Sequence, residues 1–186
     1  ERHFHATATC GCFGAAAAVA HLLALDETET AHALGLAGTQ AGGLFEFLKR
    51  GSMAKRFHPG RAAMAGIISG ELASSGFDGP DTIIEGEDGF AEAFADEYDL
   101  SGFHRLGQPY AITQPYLKPY PSCRHIHGPI DAMFDFRSEG IEPGDVRRIV
   151  VETYQNAAYH DNTDIQNLLD AQMSIPFGVA TALAHG

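Results

Sequence analysis

The sequence is short of cysteine, of cations and of long apolar runs, and each shortage excludes a class of protein. Three cysteines, Cys10, Cys12 and Cys123, are an odd number, so a secreted disulfide framework is not expected and a reducing cytoplasm fits best. The absence of a run of about 18 uncharged apolar residues argues against a membrane span. The net charge of -12 disfavours nucleic acid as a partner, because binding to phosphates requires clustered cations.

The chain also lacks the usual features of a protein's start. Its first residue is Glu1, and no basic segment followed by an apolar run opens the sequence, so neither a native start nor a signal peptide is visible. We therefore expect the 186 residues to be an excerpt of a longer protein. A hydrophobic share of 45% with 19% charged residues is typical of a packed, helix-rich globular chain.

Acidic residues are missing from two windows, residues 47–70 and 100–130. The cations in these windows are Lys49, Arg50, Lys55, Arg56, Arg61, Arg105, Lys118 and Arg124. If the two windows converge in the fold they form an anion site, because a cleft lined by one sign of charge concentrates an oppositely charged substrate. Two solvated basic loops are the alternative.

Helical patterns run through most of the chain. The alanine-rich residues 13–25 predict a helix whose small face lets another helix approach closely. Asp26 and Glu29 form a capping-box pattern that predicts a second helix through Ala37. Further helices are predicted over residues 61–75, 89–97, 123–137 and 171–184, and a β-strand over residues 148–154.

A cluster of prolines predicts a domain boundary near residue 112. The four prolines are Pro109, Pro115, Pro119 and Pro121, and they interrupt any regular helix. The fold class is therefore mainly α, with residues 1–112 in a helical domain and residues 113–186 at the start of a smaller α+β domain. Because a lone strand is not stable, its sheet is expected to be completed by chain outside this sequence.

His5 is the first candidate for chemistry. It lies in H-A-T-A-T-C-G, directly before the alanine-rich helix. A histidine at the start of a helix can act as an acid, a base or a donor to substrate. Thr7 or Thr9 is the expected N-cap of that helix.

The segment G-S-M-A-K-R-F-H-P-G-R is the second candidate. It contains Lys55, Arg56, His58 and Arg61, directly before a predicted helix whose free backbone N–H groups add to the attraction for an anion. The Lys55 ammonium can pair with a carboxylate or, if desolvated, transfer a proton. Solvated surface charges are the alternative interpretation.

The third candidate is Y-L-K-P-Y-P-S-C-R-H-I-H-G, in which prolines stiffen a segment dense in donors. The donors are Lys118, Ser122, Arg124, His125 and His127. No metal site is predicted here, because histidines two residues apart at a helix start point in different directions and no cysteine or carboxylate set completes the coordination. Cys10 and Cys12 likewise lack a second cysteine pair. Histidines that pack in the core or donate at a helix end are the alternative.

Taken together and in this order, the three segments resemble the MmgE/PrpD family, which includes 2-methylcitrate dehydratase, cis-aconitate decarboxylase and iminodisuccinate epimerase. The resemblance extends to D-A-Q-M-S-I-P-F-G-V-A near the end of the chain. It implies a large helical domain capped by a smaller α+β lid, with the active site in the cleft between them. It also implies that His5, Lys55 and Lys118 match the family's active-site histidine and two lysines, and that Tyr159 matches a further active-site tyrosine.

The resemblance implies a cofactor-independent lyase, similar to 2-methylcitrate dehydratase, that moves a proton next to a carboxylate of a small polycarboxylic acid. Removing that proton builds negative charge, which nearby cations stabilise. Substrate binding is assigned to Arg56, His58, Ser122, Arg124 and His125. There are three alternatives. The first two are epimerisation or isomerisation, and decarboxylation, of a related acid. The third is a non-catalytic helical module that binds an anion. We also expect the protein to form a homodimer and not to bind a membrane. The excerpt alone is expected to be inactive.

Overall fold

The computed structural model describes residues 3–49 and 51–186, so Glu1, Arg2 and Arg50 lie outside the described residues. The chain divides into two compact units. Among the described residues, the first contains 3–47 and 53–114, and the second contains 48–49, 51–52 and 115–186. Helices dominate both units, which confirms the prediction of a mainly α chain.

Nine α-helices are formed by the described residues. They are α1 (Ala6–Thr9), α2 (Gly11–Leu22), α3 (Glu27–Gly38), α4 (Ala54–Ser74), α5 (Phe90–Phe94), α6 (Arg124–Ser138), α7 (Gln155–Ala158), α8 (Leu168–Gln172) and α9 (Ile175–His185). Short 3-10 turns lie at Phe45–Leu48, Ser101–Arg105, Ala111–Thr113 and Pro143–Asp145. No helix in the described part of the chain has both the length and the apolar character that crossing a membrane requires.

The first unit is built on close packing of α2 against α4. A Cβ atom added at Gly66 would overlap the backbone of Ala15 and Ala16, and one added at Gly70 would overlap the side chain of Val19. Side chains larger than glycine would therefore force the two helices apart. The close approach predicted from the alanine-rich sequence is confirmed.

The capping box that begins α3 is formed as predicted. The Glu29 backbone N–H donates to Asp26 Oδ1 at 2.8 Å, and the Asp26 backbone N–H donates to Glu29 Oε2 at 3.0 Å. Two N–H groups that lack a partner within the helix are satisfied in this way.

The start of the alanine-rich helix differs from the prediction, because the N-cap of α2 is Cys10, without a side-chain capping bond. Thr7 and Thr9 lie within the preceding helix α1, whose N-cap is His5. The Thr9 hydroxyl instead donates to the His5 carbonyl at 3.5 Å. The prediction of a threonine cap was wrong because a hydroxyl inside a helix can bond to the carbonyl four residues earlier.

The start of α4 also differs from the prediction. The helix begins at Ala54, and Pro59 lies inside it. Proline lacks its own N–H and disturbs the carbonyl four residues earlier. For Pro59 this is the carbonyl of Lys55, in the first helical turn, so the disturbance is confined to the start of the helix. Lys55, Arg56 and His58 are consequently helical residues rather than members of a loop that precedes the helix.

The second unit is built on α6 and α9, whose apolar side chains form its core. The core includes Ile126, Ile130, Met133, Val179 and Leu183. The helix predicted over residues 171–184 is interrupted between α8 and α9, because Ser174 begins a new helix by accepting a hydrogen bond from the Phe177 backbone N–H at 3.0 Å.

The strand predicted over residues 148–154 is not formed. Among the described residues, the one β-bridge joins Phe4 to Leu44, and residues 149–154 lie outside any helix or strand. A strand requires a neighbour to accept its hydrogen bonds, and none of the described segments pairs with this one. Val151 packs on the helical core of the second unit instead, so burial explains part of its apolar character.

Candidate functional site

A pair of histidine rings lies at the centre of the candidate site in the first unit. Nδ1 of His5 lies 2.7 Å from Nδ1 of His58, although the two residues are 53 positions apart. His5 is the N-cap of α1 and half-buried, whereas His58 is buried on α4. A distance this short is a hydrogen bond in which one ring donates and the other accepts. The pair therefore cannot carry a proton on all four ring nitrogens.

Aromatic rings surround the histidine pair. The centroids of the Phe45 and Phe47 rings each lie 5.2 Å from that of His5, and the Phe47 centroid lies 5.4 Å from that of His58. These rings remove water from one side of both imidazoles, and a medium of lower polarity disfavours the charged form of histidine.

The charge of His5 is further controlled by its neighbours. Burial lowers the pKa of His5 from its ordinary value of 6.5, and the nearby His58 and Lys55 lower it further. All three effects act in the same direction, so His5 is predominantly neutral at pH 7. A neutral imidazole can accept a proton, which is the requirement for a general base.

Gly43 allows the histidine pair to form. Its carbonyl accepts a hydrogen bond from the His5 backbone N–H at 2.9 Å. It has φ of +111°, and a Cβ atom at this position would lie 2.6 Å from Ala8 Cβ and 3.3 Å from His58 Cε1. A side chain would therefore be strained by the backbone conformation and would press against His58. The turn at Gly43 holds the start of α1 against α4.

A cavity of about 200 Å³ lies beside the histidine pair within the first unit. His58, Arg61, Gln40 and Cys12 line it, together with small residues. Nη2 of Arg61 donates to Gln40 Oε1 at 3.3 Å. Nη1 of Arg61 is buried and has no hydrogen-bond partner among the described residues. An unpaired buried guanidinium nitrogen is costly, and it is well suited to a carboxylate, which accepts such N–H groups in parallel.

The predicted donors of the second unit lie mainly at its surface. Lys118 is exposed, and its Nζ donates to the Ser122 carbonyl at 3.4 Å. The Ser122 hydroxyl is buried and has no hydrogen-bond partner in the described part of the chain. The Arg124 guanidinium lies over the Tyr116 ring, 4.9 Å from its centroid. Lys118 and Arg124 are thus cations that extend from a proline-stiffened segment.

His125, Arg56 and Tyr159 have different surroundings. His125 is half-buried, and its Nδ1 shares a hydrogen bond with the Tyr154 hydroxyl. Arg56 is exposed in the first turn of α4, where Nη1 lies 3.7 Å from the Met53 sulfur. Tyr159 ends α7 and is 58% exposed. The catalytic and substrate-binding roles assigned to these residues stay predictions.

The structure brings together His5, Lys55 and His58 in the first unit. In the second unit it joins Lys118 to Ser122, whereas the Arg124 guanidinium lies over the Tyr116 ring. Gln40 and Arg61 are the functional candidates that the sequence analysis missed as site residues. Arg61 was already visible as a cation in the first basic window, but only the fold shows that one of its nitrogens is buried without a partner. For Gln40, the sequence contains no signal beyond its place in G-L-A-G-T-Q-A-G-G-L.

These features define a helical protein in which a half-buried and a buried imidazole form a pair beside cationic side chains. The MmgE/PrpD N-terminal domain matches residues 1–102, and the MmgE/PrpD C-terminal domain matches residues 120–186. The chain belongs to the MmgE/PrpD family, which confirms the resemblance found in its motifs.

The chain is similar to fungal proteins of this family. It is 30% identical over 141 residues to a cis-aconitate decarboxylase of Aspergillus terreus, an alignment that covers 70% of this chain and 28% of the relative. It is 28% identical over 175 residues to the cis-aconitate decarboxylase-like protein oryM of Aspergillus oryzae, covering 87% of this chain and 36% of the relative. The chain thus spans about a third of the length of these relatives.

Proposed function

We propose that the full-length protein is a lyase that moves a proton at a carbon next to a carboxylate of a small polycarboxylic acid. The observation that carries this proposal is the 2.7 Å contact between Nδ1 of His5 and Nδ1 of His58. Because the contact occupies Nδ1 of His5, the other nitrogen, Nε2, is left to exchange a proton with substrate. In the tautomer in which His5 donates through Nδ1, Nε2 has a free lone pair, and the lowered pKa of His5 keeps this ring uncharged at neutral pH.

The cations of the chain can stabilise the negative charge that develops in such a reaction. Removal of a proton next to a carboxylate shifts negative charge onto the carboxylate oxygens, and fixed cations stabilise this charge. Lys55, in the first turn of α4, and Arg61, beside the cavity, are the candidates in the first unit. Lys118 and Arg124 are the candidates in the second unit. Each is proposed to bind a substrate carboxylate.

The proposed reaction is a dehydration similar to that of 2-methylcitrate dehydratase. His5 takes the proton from carbon, the C–O bond of the neighbouring carbon breaks, and the hydroxyl leaves as water after an acid protonates it. Lys55 and Lys118 are the candidate acids, because an ammonium can donate a proton as well as pair with a carboxylate. Tyr159 is a further candidate for a proton donor.

Decarboxylation is the second candidate reaction, and the names of the matched relatives favour it. In that reaction the bond between carbon and a carboxylate breaks, carbon dioxide leaves, and the remaining carbon takes up a proton. A protonated histidine pair would supply this proton. Both reactions use the same imidazole and the same cations, so the reaction class is proposed at the level of a lyase.

The test is a panel of acids supplied to the full-length protein. Citrate, 2-methylcitrate, cis-aconitate and iminodisuccinate are incubated in deuterated water, and products are followed by NMR. The expected result is turnover of one acid, with protium lost from, or deuterium gained at, the carbon next to a carboxylate. Water loss identifies a dehydratase, and carbon dioxide release identifies a decarboxylase.

A variant pair connects this activity to the histidine pair. His5→Gln is expected to lower kcat by at least about 100-fold, the usual contribution of a positioned acid or base. His21→Gln, which changes an exposed histidine on α2, is the matched control and should keep the wild-type rate. Wild-type turnover by His5→Gln would overturn the assignment of His5. Binding of a tricarboxylate without any product would favour the non-catalytic anion-binding module.

A further inference from the structure

Three potential metal ligands converge in the second unit, and one of them, His125, is also a predicted substrate-binding residue. They are the thiol of Cys123 and the imidazoles of His125 and His160. One potential ligand atom from each residue lies within 4.8 Å of the other two. Cys123 and His125 are half-buried, and His160 is only 6% exposed.

His160 is a buried imidazole whose ring nitrogens are free to bind an ion. Neither of its ring nitrogens forms a hydrogen bond with a described residue, and both are buried. The backbone of Asn156 and Ala157 lies close to the ring. Buried imidazoles normally have a partner for at least one nitrogen. The centroid of the His125 ring lies 5.1 Å from that of His160.

His125 is held by a contact of the kind that orients metal-binding histidines. Its Nδ1 shares a hydrogen bond with the Tyr154 hydroxyl, which leaves Nε2 as the nitrogen that can bind an ion. In metal sites the second ring nitrogen usually has such a partner, which fixes the tautomer and the direction of the ring.

The backbone around the cluster is anchored on both sides to the same short segment. The Cys123 N–H donates to the Gln172 carbonyl at 2.8 Å, and the Ile175 N–H donates to the His160 carbonyl at 2.7 Å. The join between α8 and α9 therefore positions both Cys123 and His160. Because the anchors belong to the backbone, exchanging a ligand side chain leaves them in place.

We propose that Cys123, His125 and His160 bind a divalent transition metal, with Zn²⁺ as the ion that fits best. One thiolate and two imidazoles are a donor set that zinc prefers, and three protein ligands leave a fourth position for water. A tetrahedral zinc ion holds such atoms about 3.3–3.7 Å apart, so the side chains close by roughly 1 Å when the ion binds. Binding displaces the thiol proton of Cys123 to solvent.

This inference departs from the prediction that the chain has no metal site. His125 and His127 point to different neighbours, as predicted from their separation of two residues at the start of a helix. His127 is almost completely buried on α6 against the Tyr120 ring, while His125 faces His160, 35 positions along the chain. Only the tertiary structure provides the third ligand. The site does not depend on the proposed lyase reaction.

Cobalt provides the test, because Co²⁺ occupies zinc sites and gives a thiolate-to-cobalt charge-transfer band. The untagged full-length protein is treated with a chelator, freed of it, and titrated with Co²⁺ and then with Zn²⁺. One equivalent of Co²⁺ should produce the charge-transfer band, and Zn²⁺ should displace it. A folded wild-type protein that shows no such band would overturn the proposal.

Variants of the proposed ligands show whether the charge-transfer band arises from Cys123 and its neighbouring histidines. Cys123→Ser should abolish the charge-transfer band, and His125→Asn should weaken metal affinity by at least about 100-fold, since loss of an outer-shell partner alone costs 10–100-fold. Cys10→Ser, which removes an exposed thiol, and His104→Gln, which removes an exposed imidazole, are the matched controls. Circular dichroism verifies that each variant folds. A His160→Asn variant tests the second histidine, and if this change at a buried residue prevents folding, His125→Asn alone tests the histidine ligands. An unchanged band in folded Cys123→Ser would refute the site.

Discussion

The hydrogen bond between His5 and His58 restricts the protonation of both rings. One imidazole must donate through Nδ1 and the other must accept through Nδ1, so the donor's proton is fixed on that nitrogen. One proton added to the neutral pair makes one ring positive, and a second added proton would place two positive rings 5.0 Å apart by their centroids, close to the Lys55 ammonium. The lowered pKa of His5 follows from this crowding of positive charge as well as from burial.

Gly43→Ala tests how strongly this pair depends on its backbone support. The substitution places a Cβ atom where φ is +111° and where Ala8 and His58 leave no room. We expect a loss of about 1–3 kcal/mol in the free energy of unfolding, measured by urea denaturation, together with loss of activity.

Gly14→Ala is the matched control for that substitution. Gly14 lies within α2 and has nothing within 4 Å of the added Cβ position. Because alanine favours a helix over glycine, this variant should gain roughly 0.5–1 kcal/mol. Equal effects of the two substitutions would show that the turn at Gly43 is not constrained as described.

Arg61→Gln tests the proposed carboxylate site beside the histidine pair, and it depends on the proposed function. The unpaired, buried Nη1 of Arg61 is expected to bind a substrate carboxylate. Losing a hydrogen bond to a charged group costs about 1.5–3 kcal/mol, so KM should rise by about 10-fold or more while kcat changes less. Steady-state kinetics on the acid found in the panel measures both constants.

Arg105→Gln is the control for charge alone. Arg105 lies exposed in the 3-10 turn Ser101–Arg105 and belongs to the second basic window. If both arginine variants raise KM equally, the effect is explained by long-range attraction between positive charge on the protein and the substrate. That result would contradict a specific contact between Arg61 and a substrate carboxylate.

At the scale of elements, short polar signals decide where helices begin. Asp26 with Glu29 starts α3, and Ser174 starts α9. Both signals use side-chain oxygens that accept from backbone N–H groups, which a helix cannot satisfy within itself. The first signal was recognised in the sequence. The second was missed because the apolar pattern continues across it.

Asp26→Ala should cost about 1 kcal/mol of stability, within the usual range of 0.5–2 kcal/mol for a lost N-cap. The carboxylate that accepts from Glu29 is removed, and the reciprocal capping box is opened. Thermal and urea unfolding measure the change. Asp78→Ala, at an exposed residue outside the helices, is the control, and an equally large loss there would contradict the capping explanation.

At the scale of the whole molecule, acidification should destabilise the fold through the histidine pair. The folded pKa of His5 is below its ordinary value of 6.5, chiefly because of burial and further because of His58 and Lys55, the titratable and charged groups that face it. Between the two pKa values the unfolded chain binds more protons than the folded chain, so the stability contributed by neutral His5 is present above pH 6.5 and is lost as pH falls below it.

The measurement compares wild type with His5→Gln by urea unfolding at neutral pH and at about pH 5. The variant should lose less stability on acidification than wild type does. His104→Gln, which removes an exposed histidine, should keep the wild-type dependence. The linkage to His5 is refuted by equal pH dependence in wild type and His5→Gln.

Much of the helical architecture could be predicted from the sequence, because helix formation depends on neighbouring residues. Alanine-rich stretches and the capping box of Asp26 are local signals, and the structure agrees with them. Local signals were insufficient at residues 148–154, where β-branched residues predict a strand. Whether such a segment pairs depends on a partner elsewhere in the chain, and here Val151 packs against helices instead.

The sequence by itself determined the family, the mainly helical fold class and the residue types available for chemistry, because these follow from motifs that are contiguous in the chain. Only the tertiary structure decided which side chains meet. His5 reaches His58, and His125 reaches His160, through packing of elements that are distant in sequence. The orphaned nitrogens of Arg61 and His160 are consequences of burial, which depends on the surrounding fold and is not encoded in any local motif.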